Sequence, residues 1–527
     1  MRINFADKLL TNARVLTQDP ELPEANQVAI QGQRILAVGN DLSALTGEST
    51  EVIDLNGAVV APGFIDAHLH LLWGGQGLLS IPIQNARSKA DFIRIVKEHV
   101  VTRATEEWVE GNGWNENLLK EQMLPHRSWL DEAAPDHATI LIRHDGHSAV
   151  VSSKALQRAG IDRETADPVG GVIDRDDHGE PTGILRDAAL ELVLKHIPQH
   201  SEEKLEQYFQ AAQAYLLSKG VTAICDMIHD LAHFYFLQKQ AKAGKLKIRI
   251  TAYAPVLKWQ EIKELISEGI YEDEWFQFKG VKGFCDGSLG SHTALMLEPY
   301  EDTPGSSGIY DSDWEDTDLI ERIVTEADSL GLQTVIHAIG DRAIREVLDI
   351  FESVFSKNGE RDRRYRIEHA QHVHPHDQDR FRKLGVIASM QPAHCLDDSL
   401  YADKLLGDRC KYAYPFRSLQ AKGATLVLGS DWPVSPADPL LSIQAALHRN
   451  KWIPEEAMTL TEALAGHTSA AAFSIFRDDI GVLRSGTLAD LVILQPEVLN
   501  MERMKTLPDN LIQGGYSNGD KLSEHVS

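Results

Sequence analysis

Cysteine is scarce in this chain. Four occur in 527 residues, at Cys225, Cys285, Cys395 and Cys410, and no two form a Cys-x-x-Cys pair. That excludes a disulfide framework and makes a reducing, cytoplasmic location the expectation. Long apolar runs are missing too: no stretch approaches the roughly 18 residues that span a bilayer. The opening Met1-Arg2-Ile3-Asn4-Phe5-Ala6-Asp7-Lys8 is polar and lacks a signal-peptide core. Basic residues are in deficit: Lys+Arg number 52 and Asp+Glu 78, a net charge of −26. Such an acidic surface disfavours nucleic acid and anionic membranes as partners and favours solubility. The expected partner is a small-molecule substrate, and a homo-oligomer is compatible with this composition.

The remaining composition, 43% hydrophobic and 25% charged, is that of an ordinary globular enzyme. The length predicts one large domain with additions, or two to three domains. Residues 8–60 read as β-rich, with strand candidates at Leu9–Leu16, Gln27–Ile30, Arg34–Val38 and Glu51–Leu55 separated by Asn, Gly and Pro turns. From Phe64 onward, short apolar strands alternate with helical stretches such as Glu203–Ser218, Trp314–Leu330 and Asp341–Phe355. The strand candidates are Phe64–His70, Val221–Met227, Ile248–Ala254, Phe278–Asp286, Gln333–Ala338, Arg366–Ala370, Val386–Gln391 and Thr425–Asp431. Eight strand–helix units predict an α/β fold of the (β/α)8 TIM-like barrel type, with its site at the C-terminal strand ends.

The gap at residues 71–220 is too long for a barrel loop and predicts an inserted lid subdomain. It carries turn signals at Gly111-Asn112-Gly113, Gly170-Gly171 and His178-Gly179-Glu180-Pro181, and a strand at Ala138–Arg143. Ile480–Leu494 is β-like again and predicts a composite β-sandwich domain built from 1–60 plus 478–527, around a barrel at 61–477. The tail beyond Pro508 is polar and Gly-rich, and reads as partly disordered.

The most informative stretch is Ala61-Pro62-Gly63-Phe64-Ile65-Asp66-Ala67-His68-Leu69-His70. A strand repeats every two residues, so His68 and His70 share a face. Two imidazoles converging at a strand end can ligate a transition metal, although a lone His-x-His also occurs on plain solvated strands. His337, His369 and Asp431 close three further predicted strands, and Lys282 lies within a fourth. Singly, each has an ordinary structural use: a bonded core histidine, a turn-forming Asp, a solvated Lys. Together they converge on one barrel mouth. An uncompensated ammonium inside a barrel is costly. Carbon dioxide converts such a lysine to a carbamate, which is anionic and can bridge two cations.

These motifs resemble the amidohydrolase superfamily, and within it the amidohydrolase family 3 branch that includes N-substituted formamide deformylase. Pro62–His70 matches the opening motif, and Val281-Lys282-Gly283-Phe284-Cys285-Asp286-Gly287-Ser288-Leu289-Gly290-Ser291 is similar to the strand-four signature. Ile336–Ala343, Arg366–Gln371 and Gly429–Val434 are similar to the later ones, and Gly113-Trp114 with Asp145-Gly146-His147-Ser148-Ala149 fit the insertion. The resemblance implies that His68 and His70 bind a first metal shared with Asp431. It implies that His337 and His369 bind a second, bridged by carbamylated Lys282. One or two divalent ions are expected, zinc first, with iron or manganese as alternatives. Two departures stand out. His292 occupies a position where the branch pattern has Arg, and Gln513-Gly514-Gly515-Tyr516 is a poor match to the usual last strand.

The expected reaction is hydrolysis of a C–N amide-type or formamide-like bond, with Asp431 as general base and then acid. Trp114, His147, Asp286 and His292 are the candidate substrate contacts; Trp114 and Asp286 also have structural readings, as a core aromatic and a hydrogen-bonded Asp. One alternative is a mononuclear amidine or nucleobase deaminase, which would carry Glu where Gly340 stands. Another is a non-enzymatic scaffold, which typically loses ligands that are all present here.

Overall fold

The computed structural model describes residues 5–101, 108–198, 200–504, 506–508 and 510–521. Residues 1–4 of the polar opening and 522–527 of the tail lie outside the described residues. Eight strands form one sheet in sequential order: β1 (Phe64–Leu69), β2 (Val221–Met227), β3 (Arg249–Pro255), β4 (Phe276–Phe284), β5 (Gln333–Ala338), β6 (Arg366–His369), β7 (Ile387–Met390) and β8 (Leu426–Leu428). Every neighbouring pair is parallel. The ring closes where Leu69 bridges Trp432, with Asp431 N–H donating to the His68 carbonyl at 2.7 Å and His70 N–H to the Trp432 carbonyl at 2.9 Å. This is the TIM-like barrel that the strand–helix alternation predicts. The strands are buried on both faces, which is why they read as near-continuous apolar runs.

The first strand is not regular. Ile224 pairs with Asp66 but Asp226 pairs with Leu69, so β1 carries an extra residue there. Ile65 and Ala67 pack in the barrel interior with Cys225, Met227, Tyr253 and Val427. Strict alternation from these would turn His68 and His70 outward; the bulge returns both to the interior. One oxygen of Asp66 holds it, accepting from His68 N–H at 3.1 Å and Ser430 N–H at 3.0 Å. Gly429 leaves the room, since a Cβ there would sit 2.6 Å from the His68 nitrogen.

The inserted segment carries a five-stranded sheet in the order Gly171–Arg175, Pro181–Asp187, Ser148–Val151, Ala138–Arg143, Trp108–Trp114. Gly111-Asn112-Gly113 is not a turn, as the sequence reading has it, but part of the Trp108–Trp114 strand. Its glycine is needed for packing: a Cβ on Gly111 would lie 2.9 Å from Leu141.

Strands from both chain ends share a six-stranded sheet: Asp520–Lys521, Ile512–Ser517, Leu491–Leu494, Val59–Pro62, Arg14–Leu16 and Glu24–Ala25. A four-stranded sheet of Arg34–Gly39, Gln27–Gln31, Lys8–Thr11 and Glu51–Asp54 accompanies it. Two expectations are corrected. The stretch Leu9–Leu16 is two strands, broken at Asn12 with φ 52, each serving a different sheet. The tail is not disordered through Gln513–Tyr516, which pairs antiparallel with Leu491–Leu494 and buries Tyr516. Of Ile480–Leu494, only Leu491–Leu494 is a strand. Among the described residues no helix is long and apolar enough to cross a membrane.

Candidate metal centre

Closure of the barrel sets the ends of β1 and β8 side by side. The Nε2 atoms of His68 and His70 lie 3.3 and 3.2 Å from Oδ1 of Asp431. Both imidazoles are fixed from behind. His68 Nδ1 is 2.5 Å from Oε2 of Glu368, and His70 Nδ1 donates to the Met227 carbonyl at 2.7 Å. With Nδ1 engaged, each ring presents Nε2 to the barrel mouth. Glu368 is itself gripped by Arg366 at 2.8 Å. Burial pushes the Glu368 carboxyl up, but Arg366 and His68 outweigh it and hold it well below the carboxylate range. Burial likewise opposes charge on Asp431, and the neighbouring His68 and His70 more than compensate, so it is a carboxylate.

The next arc of the mouth holds His337, His369 and Lys282. The His337 and His369 rings are 4.3 Å apart. His337 turns Nε2 to the Gly287 carbonyl at 3.0 Å, so Nδ1 is its nitrogen for any further ligand. Burial and the Lys282 charge hold His337 well below the ordinary imidazole range; burial and His337 do the same for His369. Neutral imidazoles are the ones that ligate. His369 and Asp431 both have left-handed backbones, φ 71 and 58, a strained conformation of the kind that clusters at functional sites.

Lys282 does not face solvent. It is 2% exposed, and its Nζ has no hydrogen-bond partner among the described residues, with the Phe284 ring 4.3 Å away. Burial pushes its ammonium down to about 8 against the pull of Glu368 and Asp431. His369 Nδ1 and His394 Nε2 are also buried without partners. Among the described residues, the donor sets that converge closely enough for an ion are His68, His70, Asp431 and His369, His394, Asp431. Orphaned imidazole nitrogens around a shared carboxylate are the donor chemistry of a divalent cation.

Three expected substrate contacts lie elsewhere. Trp114 is 1% exposed in the insertion's core with Phe92, Trp129 and Leu130, its Nε1 donating to the Leu141 carbonyl at 2.6 Å. A large aromatic in a small subdomain is worth most as core. His292 sits on an exterior loop, 3.1 Å from Asp302, outside the cavities at the barrel mouth. Asp286 does not line them either: it is fully buried and accepts backbone N–H groups of Leu295, Ile339 and Gly340 at 2.8–2.9 Å. It ties the loops after β4 and β5 together. His147 does line the mouth, its ring 5.5 Å from that of His337 and its Nδ1 donating to Asp187 at 2.8 Å. Burial opposes charge on His147, but Asp187 and Asp145 raise it to about 9.

Two neighbours escaped the sequence reading. His229, beyond β2, stacks on His70 with rings 4.3 Å apart. His394, beyond β7, has Nε2 3.9 Å from Oδ2 of Asp431. His229 comes from a loop and His394 from the short helix Pro392–Asp398; the only available signal was a histidine shortly after a predicted strand.

A parallel eight-stranded barrel with this donor set at its mouth defines a metal-dependent barrel hydrolase. The chain belongs to the amidohydrolase family, whose model matches residues 51–519. It is 41% identical over 514 residues to the protein LONG AFTER FAR-RED 3 of Arabidopsis thaliana, covering 93% of this chain and 87% of that one. It is 27% identical over 510 residues to N-substituted formamide deformylase of Arthrobacter pascens, covering 93% of each. The crystal structure of an uncharacterized metal-dependent hydrolase from Pyrococcus furiosus is similar with a TM-score of 0.75 at 31% identity, over 93% of this chain and 99% of that chain.

Proposed function

We propose that the protein hydrolyses a C–N bond of amide or formamide type in a small molecule, with Asp431 as general base and then general acid. The observation that carries this is the placement of one Asp431 oxygen 3.3 and 3.2 Å from the nitrogens of His68 and His70. His68, His70 and Asp431 would hold one divalent ion, and His337 and His369 with a carbamate on Lys282 would hold a second. The converging donor set on that side pairs His369 with His394 and Asp431, so His394 is a further candidate ligand there. Zinc suits this N/O donor set. A bound divalent ion would lower the pKa of water towards neutrality and polarise the substrate carbonyl. Asp431 orients the attacking water, accepts its proton and passes it to the leaving nitrogen. The buried, partnerless Lys282 amine supports the carbamate, because a nitrogen pushed down to about 8 is partly neutral at physiological pH and thus nucleophilic toward carbon dioxide.

The deaminase alternative is disfavoured at Gly340. A Cβ there would lie 2.1 Å from the Leu295 carbonyl oxygen, so a Glu has no room. The test is a hydrolysis screen of formamides, amides and carbamates on metal-replete protein supplied with bicarbonate, alongside metal analysis by plasma mass spectrometry. Turnover with stoichiometric metal supports the reading. Stoichiometric metal without turnover of any C–N substrate, or no metal at all, overturns it.

A further inference from the structure

The cavity in front of the donor set has a volume of about 410 Å³, and no lysine or arginine lines it. Part of its lining is acidic. Asp187 and Glu191 come from the insertion, Asp311 and Asp313 from the segment after β4. Outside the donor set, Asp145 pairs with Arg143 at 2.5 Å and Asp187 with His147 at 2.8 Å, while Asp311 and Asp313 accept the backbone N–H groups of Asp313 and Phe284 at 2.9 and 3.1 Å. Glu191, Asp311 and Asp313 form no ion pair among the described residues. Asp187 adds an independent sign of a missing ligand. Its side chain is 5% exposed and lines the cavity, yet its second oxygen, Oδ2, is buried with no hydrogen-bond partner. A buried carboxylate oxygen left unpaired costs free energy that a donor would recover.

We propose that the substrate carries a protonated amine, held by Asp187, Glu191, Asp311 and Asp313, while its amide bond reaches Asp431. This deepens the hydrolase reading and rests on it for the position of the amide. Burial and the adjacent Asp311 push the Asp313 carboxyl up to about 7 against the pull of Lys282, and burial raises Asp311 against the pull of His147, so neither carboxylate is fully compensated by the protein. A metal ion is the poorer occupant: none of these four acids belongs to a set whose donor atoms converge on one point. An ammonium on a flexible arm can engage carboxylates that are spread apart. Trp73 and Phe284 line the same cavity and offer ring faces to a cation or an alkyl arm. The net charge of −26 favours the approach of a cation over the whole surface.

Binding, read without turnover, tests the proposal. Three uncleavable sulfonamides of matched length are titrated calorimetrically into full-length, metal-loaded protein: mono-methanesulfonyl-butanediamine, N-pentylmethanesulfonamide and methanesulfonyl-γ-aminobutyrate. The cationic probe is expected to bind about tenfold tighter than the neutral one, with the anionic probe weakest and the gap narrowing as salt rises. Asp311→Asn with Asp313→Asn, and separately Glu191→Gln, should shrink the preference while leaving the neutral probe unaffected. Asn keeps the helix-capping acceptor at position 311 and an acceptor for the Phe284 N–H at position 313, and Glu191 is exposed, so both variants preserve the local hydrogen bonds. Equal or tighter binding of the neutral or anionic probe overturns the proposal. So does stoichiometric calcium binding that is lost in the Asn variants and excludes the ammonium probe. A cationic preference in a protein that hydrolyses no amide would sink the hydrolase reading alone; turnover without that preference would sink this one alone.

Discussion

The imidazole of His68 and the carboxylate of Glu368 meet at 2.5 Å in a fully buried contact, with Arg366 behind the carboxylate at 2.8 Å. The contact sets the His68 tautomer and raises its basicity as a ligand. Glu368→Gln keeps the shape and the acceptor but removes the charge. Metal affinity should fall on the order of tenfold. Competition with a fluorescent zinc chelator measures it, and unchanged affinity would refute the supporting role.

Asp431→Asn retains a donor oxygen near His68 and His70 but cannot take a proton. Much of the metal should stay while turnover drops by about two to four orders of magnitude. Metal content and kcat on the same preparation separate the two effects. Near-wild-type kcat would remove Asp431 from the proton-transfer role.

Trp114 belongs to the core, so its removal should be a stability lesion. Trp114→Ala is expected to cost about 3–5 kcal/mol, through the cavity it leaves. Urea unfolding gives the loss, and KM at a permissive temperature should stay within a small factor of wild type. A large KM rise with little loss of stability would return Trp114 to the substrate contacts.

His467, which packs behind β1 against Ile65, provides a pH signature outside the donor set. It is buried, 2.9 Å from the Ser442 hydroxyl, and burial lowers it from 6.5 to about 4. The folded protein therefore keeps it neutral while the unfolded chain charges it. Its stabilisation is present above pH 6.5 and is lost as pH falls through the folded value. From pH 6.5 down to about 4 the wild type should lose on the order of 3 kcal/mol through this group. His467→Gln should lack that slope. Parallel slopes in denaturant titrations of the two proteins would exclude the group as the source.

The barrel was legible because strands covered on both faces are continuous apolar runs, and several were followed by a helix-period segment. His68, His70, His337, His369 and Asp431 were legible because they terminate those runs. Lys282 was legible because an ammonium inside such a run demands a reason. What lies off the strands was not. His229 approaches from a loop and His394 from the short helix Pro392–Asp398, where the strand spacing predicts no direction. Trp114 and His292 stand in equally suggestive surroundings, and only packing separates a core ring and an exterior loop from a pocket wall. The Gly-rich Gln513–Tyr516 looks unlike a strand because its order comes from pairing with Leu491–Leu494, the preceding strand, and not from an apolar pattern of its own. The bulge at Asp66–Leu69 was hidden as well: period two puts His68 and His70 on one face but does not say which.

A single residue, Gly63, separates Val59–Pro62 in the outer sheet from β1 in the barrel. It passes against Thr222, whose hydroxyl would be 2.3 Å from any Cβ placed there. So tight a splice has no slack. The outer sheet is a foundation bolted to the very ribbon that displays His68 and His70, and its strands are drawn from both termini. Cropping either end would loosen the mounting of the imidazoles rather than liberate a leaner enzyme.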